Sequence, residues 1–304
     1  MYKYGGLLVY QSHDDDGIIE VVESEGVRSL HFGSYPRQTS MRLKAPDKLE
    51  LEYVRAMTSW LLFKDIPTEI NPALNNSVKV PNLIQNQVND ISAEDENEQT
   101  EYAHNALIMG LGGGSIPKFL LKHFPTYRLK AIEYRKSVVK IARSHFGLPM
   151  DPRLKIIIDD AGQYLRQRVE TYRQSFSLLI IDAFDHEGMA RSICNEEFFI
   201  ACKDVLKKDG MLVINLWGGT SNPSFQETSG WIGKIFDWKI LFLPVPNRGN
   251  IICLAFNSGS PLYSMKSLRV RAEALEQDYQ IEFTTFLKTL KKHNSSTFNH
   301  LITA

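Results

Sequence analysis

The stretch Asn105–Glu133, reading NALIMGLGGGSIPKFLLKHFPTYRLKAIE, narrows the folds open to this chain more than any other. Ala106–Met109 is a short apolar run suited to a buried parallel strand. Gly110-Leu111-Gly112-Gly113-Gly114 follows at once, and a helical pattern then opens with Pro117 in its first turn, where a missing N–H leaves no helical bond unmade. Leu120, Leu121 and Phe124 give that helix an apolar face, and a second strand, Arg128–Ile132, ends on Glu133. The whole is one βαβ unit with a carboxylate roughly 20 residues past the glycines, an arrangement suited to a bound nucleoside. The glycines let backbone approach a ligand that a Cβ would exclude, and Glu133 can accept both ribose hydroxyl hydrogens. A glycine turn alone reads equally well as a tight strand-to-helix connection, so the acid at the next strand tip carries the ligand reading. Gly114 is followed by Ser-Ile-Pro, which departs from GxGxxG and favours an adenosyl group without a pyrophosphate.

Ahead of this unit, Leu7–Tyr10, Ile18–Ser24 and Val27–Phe32 are short, β-branched-rich or aromatic, and punctuated by Gly17 and Ser24-Glu25-Gly26. They predict a small antiparallel β element. Ser34–Pro46 is polar and reads as a loop. Leu49–Phe63 has helical spacing, with Leu51, Val54, Met57, Trp60 and Leu61 on one side and Tyr53 and Arg55 off that stripe, as helix-surface residues would be. Asn71–His104 is dense in Asn, Gln, Ser and acids and has too little apolar surface to offset the entropy of ordering it, which predicts a flexible polar insertion.

Beyond Glu133, the pattern continues with a helix over Arg135–Phe146, a strand over Leu154–Ile158, a helix over Gln163–Tyr172 and a strand over Leu178–Ile181. A helix over Glu196–Leu206 is stopped by Asp209-Gly210, and Met211–Asn215 is the fifth strand. Gly230–Phe236 reads as a helix, and Trp238–Val245 with Ile251–Asn257 as a closing strand pair. Strands alternating with helices predict a doubly wound, mostly parallel α/β sheet covered on both faces. Ser267–Lys292 has helical spacing and reads as a tail on the exterior or against a partner. The expected units are 1–64 (β domain plus helix), 71–104 (insertion), 105–258 (nucleoside-binding domain) and 259–304 (helical tail).

Composition excludes several function classes. Lys+Arg and Asp+Glu both total 35, so no global basic field draws in nucleic acid. Three cysteines, Cys194, Cys202 and Cys253, are too few and scattered for a disulfide framework or metal cage, and read as buried thiols in a reducing compartment. The N-terminal apolar patch is too short for a signal peptide, and no run reaches the roughly 18 apolar residues of a membrane span. The expectation is a soluble cytoplasmic protein with no membrane partner.

Three successive strands end in acids: Glu133, Asp159 with Asp160, and Asp182 with Asp185. Ligands of doubly wound sheets occupy the crevice beyond the carboxyl ends of the strands, so these acids converge on one site. Each could singly be a helix N-cap. Three in register with a glycine turn form an electronegative hollow suited to a cationic sulfonium donor, an amine, or both.

With these residues in place, the chain resembles the spermidine synthase (polyamine aminopropyltransferase) family over roughly Ile18 to Asn257. The resemblance implies a methyltransferase-like Rossmann domain preceded by a small β domain. It also implies a nucleoside co-substrate, decarboxylated S-adenosylmethionine or S-adenosylmethionine; the expectation of no metal comes from the residues, since neither the cysteines nor His13 and His186 show metal-ligand spacing. Gly110, Gly112, Gly113 and Gly114 would form the donor loop, Glu133 would bind the ribose, and Asp160, flanked by Asp159 and Ala161, would contact the adenine. Asp182 matches the acid that deprotonates the attacking amine and Asp185 its partner. Tyr53 and Gln38 match the acceptor side. The acceptor would be a small-molecule amine, and the protein a homodimer or larger assembly. Two positions depart from the family pattern: Gly113 stands where GGGDGG has Asp, and Val54 stands where His or Gln usually follows the tyrosine. The implied activity is aminopropyl transfer with a diverged acceptor site; the alternatives are an S-adenosylmethionine-dependent methyltransferase and a non-catalytic binding protein on the same fold.

Overall fold

The computed structural model describes residues 1–64, 104–183, 190–219 and 222–303. The first five strands are β1 (Tyr2–Lys3), β2 (Gly6–Asp14), β3 (Gly17–Ser24), β4 (Val27–His31) and β5 (Thr39–Arg42). They form one antiparallel sheet in chain order. β5 falls inside the segment expected to be a loop. Its Thr39, Ser40 and Met41 are buried, and pairing with β4 supplies a ladder that its polar side chains do not advertise. Helix α1 (Glu52–Met57) then tightens into a 3-10 turn over Thr58–Leu62, rather than running on as one regular helix to residue 63. Every residue from Thr58 to Phe63 is buried, so this segment is enclosed all round instead of on one stripe.

The insertion expected over 71–104 lies outside the described residues except His104, which opens β6 (His104–Met109). There follow α2 (Ser115–His123), β7 (Tyr127–Glu133), α3 (Lys136–Phe146), β8 (Leu154–Ile158), α4 (Ala161–Arg166), β9 (Phe176–Ile181), α5 (Glu196–Val205), β10 (Leu206–Trp217), α6 (Pro223–Ile235), β11 (Ile240–Pro244) and β12 (Asn250–Phe256). The sheet order is β11-β12-β10-β9-β6-β7-β8, parallel from β10 to β8 and closed by antiparallel β12 and β11. β10 is longer than the expected fifth strand. Leu206 already pairs with Phe176, and a register shift before Met211 absorbs Asp209-Gly210 instead of ending a helix there. α4 is shorter than expected, and α6 starts earlier, at Pro223, capped by the Asn222 side chain.

The C-terminal segment forms α7 (Met265–Tyr279) and α8 (Phe283–His293), which corrects the expectation of an exterior tail. Leu275, Phe283, Phe286 and Leu290 are buried in the same core as Trp60, Phe63 and Phe124. The two helices thus cover one face of the sheet, and α4, α5 and α6 supply the apolar cover of the other. Among the cysteines, Cys202 and Cys253 are buried, while Cys194 is partly exposed.

The antiparallel sheet docks on α3. Ile19, Val21, Leu30 and Met41 pack against Val138, Ile141 and Phe146. At about 1.5–3 kcal/mol per buried side chain this contact outweighs the polar ties beside it. Those ties set register. Arg135 pairs with Asp14 at 2.5 Å and lies over the Phe32 ring, and Lys118 donates to the Pro46 and Phe146 carbonyls at 2.9 and 2.6 Å.

Candidate active site

Along the chain the parallel strands run β6, β7, β8, β9, β10, but in space β6 lies between β7 and β9. The order therefore reverses between β6 and β9, and a crevice opens at the carboxyl ends of that pair. Met109 and Ile181 are register partners, and the Asp182 N–H donates to the Met109 carbonyl at 2.8 Å. The glycine loop leaves β6 at this point. Gly110 has φ +90°, and a Cβ there would lie 2.1 Å from the Asp182 carbonyl oxygen, so no other residue fits. Gly113 is tight for a different reason: its Cβ would lie 2.5 Å from the Thr39 methyl and 3.0 Å from the Phe146 ring. The antiparallel sheet thus closes over the loop where the family pattern carries an acid.

Glu133 ends β7 beside that loop and is 9% exposed. Its carboxylate accepts the Leu111 N–H at 2.9 Å and the Arg135 N–H at 2.9 Å, and Gly112 N–H adds to them. Burial raises its pKa above the usual carboxylate value, and the N–H groups and Arg135 offset only part of that rise. One strand further out, the Asp159 N–H donates to the Glu133 carbonyl at 3.2 Å. Asp160 caps α4, its Oδ1 accepting the Gln163 N–H at 2.8 Å, so the structural role open to it in the sequence is filled while Oδ2 keeps further acceptor capacity. Asp159 Oδ1 accepts the Asp160 N–H at 2.8 Å, and Ala161 begins the helix.

On the other side of the glycine loop, Asp182 sits deep among protein atoms yet keeps part of its surface open. Asn215 of β10 donates its amide N–H to Asp182 Oδ1 at 2.9 Å. The Tyr53 hydroxyl of α1 reaches the same carboxylate and lies 3.4 Å from the Gln38 carbonyl oxygen. Burial raises the Asp182 pKa, with Asn215 and Tyr53 opposing it, and burial beside that carboxylate raises Tyr53 well above an ordinary phenol. Tyr53 is therefore packed against the core and not on a helix surface as its place off the apolar stripe suggested. Gln38 comes next to it through its backbone, and Asp185 lies outside the described residues.

Across the sheet edge the order is Asp159 and Asp160, Glu133, the glycines, Asp182, Asn215. With strands about 4.8 Å apart, Glu133 and Asp182 stand roughly 10 Å from each other, on either side of the loop. Residue types alone missed four neighbours of this row. Tyr134 and Ile158 are exposed apolar side chains directly after Glu133 and before Asp159. Asn215 and Asn250 are buried amides. The visible signal for Asn215 was a lone amide inside the apolar run MLVINLW.

Residues 93–220 match the family model described as the spermine/spermidine synthase domain. A polyamine aminopropyltransferase from Chromobacterium violaceum is 30% identical over 285 residues, covering 93% of this chain and 93% of its own. Among solved structures, a probable spermidine synthase from Corynebacterium glutamicum superposes with a TM-score of 0.64 at 18% identity, covering 88% of this chain and 86% of its own. Human methyltransferase-like protein 13 in complex with SAH gives a TM-score of 0.58 at 19% identity, covering 76% and 93%. The fold is that of Rossmann-like methyltransferases with a small antiparallel sheet in front. More particularly, the chain belongs to the spermine/spermidine synthase family, whose polyamine aminopropyltransferases are transferases.

Proposed function

We propose that this protein transfers an aminopropyl group from decarboxylated S-adenosylmethionine to a small amine. The observation that carries this reading is the placement of Asp182 at the strand-order reversal, against Gly110 and two strands from Glu133. In this reading the backbone of Gly110, Gly112, Gly113 and Gly114 lies along the donor, and Glu133 accepts the ribose hydroxyls. Asp159, Asp160 and Ala161 meet the adenine edge, with Tyr134 and Ile158 offering apolar surface to the ring. Tyr53 and Gln38 stand on the acceptor side, and Asp185 is the partner acid to Asp182.

The acceptor enters as an ammonium, which has no lone pair for attack. Asp182 takes one proton, the freed nitrogen attacks the carbon beside the sulfonium, and that carbon–sulfur bond breaks. Methylthioadenosine leaves as a neutral thioether, the new C–N bond leaves the amine cationic, and the proton on Asp182 passes to solvent. Fixing nitrogen, carbon and sulfur in line provides much of the acceleration.

A second reading, methyl transfer from S-adenosylmethionine, is favoured by Gly113, where a neutral wall of Thr39 and Phe146 replaces an acid and no longer repels a donor carboxylate. Calorimetry with both donors tests the choice. Tighter binding of the decarboxylated donor supports aminopropyl transfer; preference for the carboxylated one supports the methyltransferase; binding of neither supports a non-catalytic protein. Glu133→Gln is expected to weaken the preferred donor by about 1.5–3 kcal/mol, roughly tenfold or more, because charge-assisted bonds to the ribose are lost. Unchanged affinity in a variant with an unchanged unfolding midpoint would remove Glu133 from the donor site.

A further inference from the structure

A line of side-chain hydrogen bonds ends on Asp182. Asn250 Nδ2 donates to Asn215 Oδ1 at 3.0 Å, and Asn215 Nδ2 donates to Asp182 Oδ1 at 2.9 Å. The two asparagines sit in the apolar stretches 211–217 and Asn250–Phe256 of adjacent strands, 3% and 8% exposed, and they are diagonal neighbours, since Asn250 pairs with Trp217 and Asn215 with Ile252. Diagonal pairs on a sheet face are within reach of one another. Buried amides cost free energy unless paired, and an apolar pair could fill the same space, so stability alone does not call for them here.

An asparagine amide has one donor end and one acceptor end. Because Asn250 offers an N–H to the Asn215 oxygen, Asn215 must turn its NH2 towards Asp182. The reverse orientation would set an amide oxygen against a carboxylate oxygen. We propose that Asn250 is a positioning residue for the proton acceptor: it fixes the one orientation of Asn215 that holds Asp182 as an ionised acceptor facing the site. This rests on Asp182 being the base of the proposed reaction. Among the described residues, Tyr53 is the titratable group facing Asp182 from α1. Farther out, Glu52 of α1 and Arg248 of the loop before β12 pair with each other at 3.1 Å. β10 and β12 present the two amides, and the glycine loop presents backbone.

The test is the pH dependence of kcat, with decarboxylated S-adenosylmethionine and 1,4-diaminobutane as probes, for the parent chain and three variants. Asn250→Asp cannot donate to Asn215 when ionised and adds a negative charge. It is expected to move the acid limb of kcat upward by about one pH unit, so that kcat falls by up to roughly tenfold on the acid side of that limb. Asn250→Leu is expected to shift the limb less, in the same direction. Asn250→Gln keeps a donor and is expected to lie nearest the parent. An acid limb and kcat unchanged in a folded Asn250→Asp variant overturn the proposal, as does an unchanged Asn250→Leu should the aspartate variant fail to fold. Absence of methylthioadenosine from the parent chain overturns the base assignment itself and the positioning role with it. Turnover in the parent with an unmoved limb in the variants overturns the positioning role alone.

Discussion

Replacing Asp182 by asparagine is expected to lower turnover by about 10²–10⁴-fold and to leave donor affinity within a few-fold. The amide keeps the size of the carboxyl and can still accept the Asn215 N–H, so the hollow keeps its shape. What it loses is the capacity to take a proton from the incoming ammonium. Donor affinity stands apart because Glu133 lies on the far side of the glycine loop, and the Asp182 backbone that packs against Gly110 is unchanged by the substitution. Steady-state kinetics and calorimetry on the same preparation measure both halves, and unchanged kcat would remove Asp182 from the chemistry.

The same substitution carries a stability signature with a definite sign. The Asp182 pKa is raised in the folded protein by burial, so the folded state holds that proton more tightly than the unfolded chain. Its stabilising contribution is full below the unfolded value of 3.8 and is lost as pH rises through the folded pKa. Asp182→Asn should therefore raise the unfolding midpoint at neutral pH and leave it nearly unchanged below pH 3.8. Gain of stability with loss of turnover is the trade expected where an active site holds a destabilised charge.

Among the described glycines, Gly110→Ala is expected to have the largest structural effect. Its φ of +90° is strained for an L-residue, and the added Cβ would lie 2.1 Å from the Asp182 carbonyl oxygen. Left-handed strain costs about 1–2 kcal/mol and forcing atoms into a packed site about 1–3 more. The contact is with backbone at the point where β6 and β9 pair, so it cannot be relieved by a rotamer change. The expected result is a fall of roughly 2–5 kcal/mol in unfolding free energy, read from denaturant titration, together with loss of donor binding as the loop and Asp182 are pushed apart. Gly219, where an added Cβ would meet no atom of the described residues beyond its chain neighbours within 4 Å, is the control, and Gly219→Ala should be near neutral. Equal stability of the two variants would contradict the close approach.

These expectations divide by what the sequence could carry. The βαβ unit was legible because its strand, glycine turn, helix and acid are consecutive, and strand-end acids are visible wherever apolar runs stop. Partners drawn from separate elements were not. Tyr53 lies off the apolar stripe of α1, and only the fold brings Asp182 beneath it. The Asn215–Asn250 contact depends on the register of two antiparallel strands, which no local pattern reports. β5 hid because Thr39 and Ser40 are polar yet buried, and the periodicity of 267–292 predicted helices without saying that Phe283 and Leu290 pack beside Trp60.

The most direct measurement is to incubate the full chain with decarboxylated S-adenosylmethionine and a panel of small amines, and to quantify methylthioadenosine and the amine product together. Asp182 as proton acceptor beside a bound adenosyl sulfonium predicts one methylthioadenosine for each aminopropylated amine, at a rate that collapses in Asp182→Asn. Formation of neither product, or product formation at the parent rate in that variant, would contradict the account.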